Sequence, residues 1–237
     1  IVKRNTSPLI RQDYVLWSSP VSGQQLQAFS PATLSTRFYE YDSSGDIYTA
    51  VTPTANFTLA KGYLIRLPNN HPATPTTWTG VFTGGHAHNG DVPLNGLTTG
   101  DYYAIGNPYP SAISADDFIN DNGLGEALYF WRKTNNAANS SYATYTTAGG
   151  TSNSGGGSSL LPDGVIQVGQ GFIAKAPATS MVIDNTMRLL DNTEPFFRLN
   201  NNRSRIWLNL VNTDGYFGQA LVAYMPNATN GVDAAID

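Results

Sequence analysis

The sequence predicts an all-β protein built from two related, β-sandwich or jelly-roll-like halves with one short helix. Short runs of β-branched and aromatic residues alternate with turn residues along the whole chain, as in strand-rich folds. Only 13% of the residues are charged, while 23 are glycine and 14 are proline. Several segments also recur in the same order, which indicates an internal duplication.

The duplication is carried by four matching segments: residues 13–20 with 101–108, Phe29 with Phe118, residues 37–40 with 128–131, and residues 61–68 with 170–177. Their offsets are 88, 89, 91 and 109 residues. The offset grows because the second half carries a Gly/Ser-rich insertion at 148–159, a flexible loop by composition. We therefore divide the chain into a first β half over 1–97 and a second over 98–195. Residues 196–237 are expected to add terminal strands that pack on the second half.

The first half begins with a polar lead-in over residues 1–12. Its strands are expected at 14–17, 37–41, 46–51, 57–59, 62–68 and 78–82. Residues 42–45 form a hairpin turn by composition, and residues 78–82 alternate with the period of a half-buried strand.

The second half opens on a strand that runs into a rigid corner at residues 104–113. Gly106 and Asn107 can turn the chain there, and the two prolines that follow hold their neighbours extended. A helix is expected at 114–120, because Ser114 provides an N-cap and Asp117 follows three residues later. Further strands are expected at 128–131, 170–177, 196–199, 205–211 and 220–225. Whether a free strand edge near Asp237 pairs with a neighbouring segment or chain stays open.

Composition excludes several classes of function. The net charge is −4 with no basic block, so we expect no nucleic-acid partner. The chain has no cysteine, which excludes disulfides and thiol chemistry. No apolar run is long enough to cross a bilayer, so membrane insertion is not expected. The absence of cysteine favours an exported protein whose stability comes from the size of its core. The chain starts at Ile1 without Met or a signal peptide, and we interpret it as a processed or excised piece of a longer protein.

Metal sites have two sets of candidates. His86 and His88 are two residues apart, a strand spacing that points side chains the same way, and Asp91 follows them. His71 is the remaining histidine, and a polar hairpin loop is the favoured interpretation. Residues 42–46 and 121–126 offer oxygen ligands of the kind calcium uses. Because Asp, Asn and Gly also simply make turns, we expect no cofactor, with calcium as the alternative.

Catalytic signatures are weak. A glycosidase would need two facing carboxylates, and the glutamates are Glu40, Glu126 and Glu194, of which the first two lie beside equivalent strands. Ser154 lies in the Gly-rich insertion without an assigned base or a nucleophile elbow, and that loop lacks a phosphate-binding ending. We therefore assign no catalytic residue and predict that the protein is not an enzyme.

Tryptophans offer a route to sugar binding by stacking. Trp17, Trp131 and Trp207 lie in apolar strands where burial is expected, whereas Trp78 is flanked by threonines and is the best candidate for exposure.

The combination of residues 14–21, 61–66, 105–111, 128–135, 169–172, 196–198 and 205–209 resembles a conserved β-rich region of large surface proteins from gliding bacteria. Those proteins are exported by the type IX secretion system, and the region usually precedes their C-terminal sorting domain. The resemblance implies a location outside the cell or on its surface, no catalytic residues, and contact with the secretion machinery through a further C-terminal domain.

These observations predict a non-catalytic extracellular structural or adhesin module of a larger secreted protein, with a surface glycan or a protein as partner. The alternative is an accessory carbohydrate-binding domain of a secreted hydrolase. Whether the halves share one core or form two lobes stays open.

Overall fold

The computed structural model describes residues 1–132, 142–152, 161–190, 204–214, 216–225, 228–234 and 236. These residues form short antiparallel strands with two short α-helices, so the predicted all-β class is confirmed. None of the helices in the described residues is long and apolar enough to span a membrane. The elements are, in chain order, β1 (Val2–Asn5), β2 (Tyr14–Trp17), α1 (Leu26–Phe29), β3 (Phe38–Asp42), β4 (Ile47–Ala50), β5 (Tyr63–Arg66), β6 (Thr79–Phe82), β7 (Val92–Asn95), β8 (Tyr102–Gly106), β9 (Ile113–Ser114), α2 (Ala115–Asn122), β10 (Leu128–Trp131), β11 (Tyr142–Thr146), β12 (Gly149–Thr151), β13 (Val165–Ile166), β14 (Gly171–Lys175), β15 (Ser180–Ile183), β16 (Arg205–Val211) and β17 (Phe217–Ala223), with a 3-10 turn at Asn185–Met187.

The sheet topology contains the same unit twice. One sheet has the order β2-β5-β3-β4, and the other has β8-β14-β10-β11 with β12 added at its edge. A two-stranded ribbon accompanies each sheet, β1-β6 in the first unit and β7-β15 in the second. We call elements β1 to β6 with α1 the first repeat, and β7 to β15 with α2 the second repeat. Because β7 pairs with β15, the second repeat begins at β7, ahead of the division at 97–98 drawn from the sequence.

Strand register fixes which residues are equivalent. Trp17 lies opposite Tyr63 in the first repeat, and Ile105 lies opposite Phe172 in the second, in agreement with offsets of 88 and 109. Tyr39 lies opposite Leu64, and Tyr129 lies opposite Ile173, so β3 and β10 are related by an offset of 90. The alignment of residues 37–40 with 128–131 at an offset of 91 was therefore one residue out of register. Runs of consecutive aromatic residues can be aligned in more than one register, whereas strand pairing in the structure fixes the register.

Some elements differ from the sequence prediction. The lead-in contains β1, whose strand partner is β6. Residues 57–59 form no strand, although Phe57 is buried and its N–H donates to Gln24 O. The predicted helix is present as α2, and α1 is an additional single turn that buries Phe29.

Each sheet separates two apolar clusters. The outer face of the first sheet packs on α1 and the β1-β6 ribbon through Trp17, Phe29, Phe38, Ile65 and Phe82. The outer face of the second packs on α2 and the β7-β15 ribbon through Ile105, Phe118, Phe172, Ile183 and others. The inner faces of the two sheets meet at Leu16, Leu64, Ala104 and Ile173. The two repeats are therefore joined through a shared apolar interface.

Contacts across this interface are reciprocal. The Ser18 N–H donates to Gly169 O at 2.9 Å, and the Gly106 N–H donates to Ala60 O at 3.0 Å. Ser18 is equivalent to Gly106, and Ala60 is equivalent to Gly169, so each contact is the image of the other. Reciprocal contacts are the signature of two-fold symmetry. The repeats are thus related by a pseudo-twofold axis that runs through the interface.

The terminal hairpin β16-β17 lies against the second repeat. Arg205 Nε donates to Ala148 O at 2.6 Å, and Trp207 Nε1 donates to Gly150 O at 3.0 Å. Gln219 Oε1 accepts from the Ser152 N–H at 2.8 Å. The strand expected at 196–199 and residues 153–159 of the insertion lie outside the described residues.

Candidate functional site

An open cleft lies at one end of the interface between the two sheets, with a volume of about 480 Å³. We call it the aromatic cleft, and its lining consists of Tyr41, Asp46, Tyr48, Tyr102, Tyr129, Trp131, Tyr142 and Ile173. Ligand pockets for small molecules usually have a volume of about 300–1,000 Å³. The cleft is therefore large enough for one or two sugar rings.

Strand alternation explains why these rings gather. Tyr129 and Trp131 are two apart on β10, so both point to the inner face of the second sheet. Tyr142 lies opposite Trp131 on β11, and Tyr48 lies opposite Tyr41 on β4. The pseudo-twofold axis then brings the two groups of rings together, and the hydroxyls of Tyr48 and Tyr142 lie 3.1 Å apart.

The rings pack edge to face. Trp131 lies between Tyr48 and Tyr142, with ring centroids 5.7 Å and 5.4 Å away. Tyr102 and Tyr129 form another such pair at 5.9 Å. This arrangement is favoured by the ring quadrupoles, and it fixes each ring before a ligand arrives.

Carboxylates stand at the rim of the aromatic cleft. Tyr102 donates from its hydroxyl to Glu126 Oε2 at 2.8 Å, and Lys175 Nζ lies 2.6 Å from Glu126 Oε1. The hydrogen bond from Lys175 lowers the pKa of Glu126. Tyr41 donates to the carboxylate of Asp46. Burial raises the pKa of Tyr48 and of Tyr102, so the phenols stay protonated while Glu126 stays charged at neutral pH.

This combination suits a ligand that is apolar on one surface and rich in hydroxyl donors at its edges. Aromatic rings offer apolar surface with a polar tip. Charged carboxylates accept strong hydrogen bonds from hydroxyl groups. Sugars have both properties, whereas a purely apolar ligand would add no hydrogen bond to these carboxylates.

The three histidines lie in segments that are held by backbone hydrogen bonds. His71 is buried, with Nε2 3.0 Å from Leu9 O and 3.1 Å from Thr76 O. His86 and His88 lie in an extended segment whose backbone pairs with Ser22 and Pro20. Burial lowers the pKa of His88. Within the described residues, no three His, Asp or Glu side chains form a group that could hold a metal ion.

The acidic turns use their oxygens internally. Asp42 Oδ1 accepts from both the N–H and the hydroxyl of Ser44, and these bonds lower the pKa of Asp42. Asn122 Oδ1 accepts from the Val182 N–H at 2.7 Å, which ties α2 to β15. Asp42 and Asn122 thus use these oxygens to hold a turn and to attach α2, whereas Asp46 and Glu126 lie at the aromatic cleft.

Glu40 and Glu126 are not brought face to face. Glu40 lies opposite Tyr63, a residue of the outer cluster of the first repeat, and forms an ion pair with Lys61 at 2.6 Å. Glu126 forms its contacts with Tyr102 and Lys175 at the aromatic cleft. Glu194 and Ser154 lie outside the described residues.

The tryptophans are distributed differently from the expectation. Trp78 is half-buried, and its ring packs edge to face on Trp17 and Phe29, so it is not the exposed candidate predicted from its flanking threonines. Trp17 is buried, and Trp207 donates from Nε1 to Gly150 O. Trp131 is the tryptophan that lines the aromatic cleft.

Sequence reasoning missed the tyrosines of the aromatic cleft. The available signal was the two-residue spacing of Tyr39 with Tyr41 and of Tyr129 with Trp131, which predicts one aromatic face on each of two equivalent strands. The meeting of the two faces depends on how the repeats dock, and no local pattern specifies that.

Comparison with known proteins gives a family without an assigned activity. A family model described as a domain of unknown function, DUF8693, matches residues 1–237. No curated protein and no solved structure matches the chain. Because the match spans the whole sequence, the protein belongs to the DUF8693 family.

Proposed function

We propose that the protein is a non-catalytic binding module that works outside the cell and holds a neutral saccharide in the aromatic cleft. The observation that carries this proposal is the set of edge-to-face rings around Trp131, with the carboxylates of Asp46 and Glu126 at the rim. The rings provide apolar surface, and the carboxylates accept hydrogen bonds from sugar hydroxyls.

The cellular setting is supported by the resemblance to the β-rich region of type IX secretion substrates. In that setting, the module belongs to a larger surface protein, and a further C-terminal domain engages the secretion machinery. The described residues supply the adhesive surface. Calcium is not needed for this role, and we propose no cofactor and no catalytic step.

The test begins with the purified chain on an array of neutral glycans, followed by calorimetric titration of the best oligosaccharide. Tyr129→Ala removes one ring of the aromatic cleft, whereas Tyr39→Ala removes the equivalent ring at the opposite end of the interface. We expect Tyr129→Ala to weaken neutral-saccharide binding about tenfold, corresponding to about 1.4 kcal/mol. Tyr39→Ala, the matched control, should leave it unchanged.

Two outcomes would reject the proposal. If no neutral glycan binds, the module acts as a scaffold without a saccharide ligand. If both variants bind as tightly as the parent chain, the saccharide is held elsewhere. The accessory-domain alternative differs in its gene context, because a catalytic domain encoded in the same gene would favour it over an adhesin.

A further inference from the structure

The two ends of the inter-sheet interface are equivalent in fold and different in charge. At the end formed by the second repeat, Tyr102 lies opposite Lys175. Their side chains together hold the Glu126 carboxylate, with the Tyr102 hydroxyl at 2.8 Å from one oxygen and Lys175 Nζ at 2.6 Å from the other. This end of the interface therefore contains a carboxylate-binding site that the protein fills with its own glutamate.

The first repeat keeps the same two groups and has no glutamate to fill the site. Tyr14, equivalent to Tyr102, lies opposite Arg66, equivalent to Lys175. At the offset of 90 that relates β3 and β10, the position of Glu126 is taken by Thr36, which is exposed. The tyrosine and the cation are retained, and the carboxylate is absent.

A second cation, Arg37, lies at the end of the interface formed by the first repeat. The backbone N–H of Arg66 donates to the backbone carbonyl of Arg37 at 3.2 Å, so the two arginines are neighbours. The guanidinium Nη1 of Arg37 donates to the Tyr39 hydroxyl at 3.2 Å. The charges of Arg37 and Arg66 oppose the rise in the pKa of Tyr14 that burial causes, as expected for guanidinium groups near its hydroxyl. At the equivalent of Arg37, the second repeat has Ala127.

The charges of this pair are not neutralised within the described residues. Neither Arg37 nor Arg66 forms an ion pair there. The Nε atoms of both guanidiniums are buried and have no hydrogen-bond partner in the same part of the chain. Guanidinium groups bind carboxylates through two parallel hydrogen bonds, so two adjacent ones form a strong anion acceptor.

We infer that Tyr14, Arg37 and Arg66 form a second binding site, which takes the carboxylate of an acidic saccharide. The rings of Tyr14 and Tyr39 pack edge to face at 5.9 Å, the same separation as Tyr102 and Tyr129. They give the sugar ring apolar surface beside the arginines, which favours a uronic acid residue over an acidic peptide. The site is distinct from the aromatic cleft and does not depend on the neutral-saccharide proposal.

The test is calorimetric titration of the whole chain with trigalacturonic acid, and with a neutral trisaccharide as the reference ligand. The trigalacturonic acid should bind more tightly, with an affinity that falls as salt is raised. Arg66→Gln should weaken trigalacturonic acid binding about tenfold or more. Lys175→Gln removes an equivalent charge at the opposite end and should leave that affinity unchanged.

A complementary variant adds a group instead of removing one. Thr36→Glu places a carboxylate at the position of Glu126, where it should occupy Arg66 and Tyr14 and abolish trigalacturonic acid binding. Circular dichroism spectra that match the parent chain would show that each variant is folded.

Three results would overturn the inference. They are equal binding of the neutral trisaccharide at this end, unchanged affinity in Arg66→Gln and Thr36→Glu, or displacement of trigalacturonic acid by an oligoglutamate peptide at a lower concentration. The last would assign the site to an acidic protein. A failure of neutral-glycan binding at the aromatic cleft would leave this result intact, since the ligands and variants differ.

Discussion

At the pseudo-twofold axis, equivalent residues of the two repeats meet, and only one of them can carry a side chain. A Cβ atom on Gly106 would overlap the Cβ and hydroxyl of Ser18, its equivalent in the first repeat. Ser18 is fully buried, and the backbone of both residues is held by the reciprocal hydrogen bonds across the interface. Two identical chains would need the same residue at both places, whereas a duplicated gene can place serine on one side and glycine on the other.

This pair predicts a compensating swap. Gly106→Ser should lower the free energy of unfolding by about 3 kcal/mol, because neither backbone can move away from the clash. Ser18→Gly should lower it by about 1 kcal/mol, since it removes buried atoms and frees the unfolded backbone. The double variant should regain most of the stability lost in Gly106→Ser. Urea denaturation of the four proteins measures the coupling energy, and simple additivity of the two changes would contradict the steric explanation.

The Glu126–Lys175 ion pair predicts that the free energy of unfolding changes with pH. The hydrogen bond from Lys175 lowers the pKa of Glu126 in the folded protein, while the unfolded value is about 4.3. The contribution of Glu126 to stability is therefore present above the unfolded pKa and is lost as pH falls through the folded one. Glu126→Gln should be less stable than the parent chain at pH 6, and the two proteins should converge in stability at pH 2–3. A difference that stays constant across this range in urea denaturation would contradict the assignment.

At the level of elements, the local sequence signals around α2 were sufficient to predict the helix. The Ser114 hydroxyl accepts from the Asp117 N–H at 3.1 Å, and two aspartates occupy the first turn. Gly123 ends the helix in a left-handed conformation with φ of 61°. These features act within one turn of chain, so the sequence located the helix.

The N-cap predicts a measurable loss of stability. Ser114→Ala should lower the free energy of unfolding by about 1 kcal/mol, because the Asp117 N–H loses its acceptor. Ser114→Asp supplies another acceptor and should retain most of the stability. Thermal unfolding of both variants tests this, and equal losses for Ala and Asp would show that the hydroxyl matters for packing and not for capping.

The β1-β6 and β7-β15 ribbons show where local sequence signals were insufficient to predict a strand. The sequence of β1 reads VKRN and that of β7 reads VPLN, and neither has the composition of a strand. Their extended conformation comes from the partners β6 and β15, which lie far along the chain. Pro93 is tolerated because a two-stranded ribbon leaves one side of β7 free of ladder hydrogen bonds.

The candidate site was predictable only in part for the same reason. Aromatic content predicts a route to sugar binding by stacking, and this stays a prediction. However, the sequence neighbours of Trp78 and Trp131 do not show which of the two is accessible to a ligand. Trp78 packs on Trp17 and Phe29, while Trp131 faces the aromatic cleft because the inner sheet faces dock there.

At the scale of the whole molecule, the clusters are linked in a way that should make folding cooperative. Each sheet contributes one face to an outer cluster and the other face to the shared interface. Ala60 of the first repeat lies within the cluster of the second, and it adopts φ of 55° there. Its equivalent, Gly169, has φ of 72°. Neither repeat can lose its sheet without exposing apolar surface of the other.

Matched substitutions in the two outer clusters test this cooperativity. Phe29 and Phe118 are equivalent by sequence offset, and both are buried. Changing either one to Ala should lower the free energy of unfolding by about 3–5 kcal/mol. Incorporation of 5-fluorotryptophan gives separate fluorine NMR signals for Trp17 in the first repeat and Trp131 in the second. In both variants, the two folded signals should disappear at the same urea concentration, because the inter-sheet interface couples the repeats. If Phe118→Ala lost the Trp131 signal while the Trp17 signal persisted, the repeats would be independent folding units, and the interface between them would be too weak to preorganise the aromatic cleft.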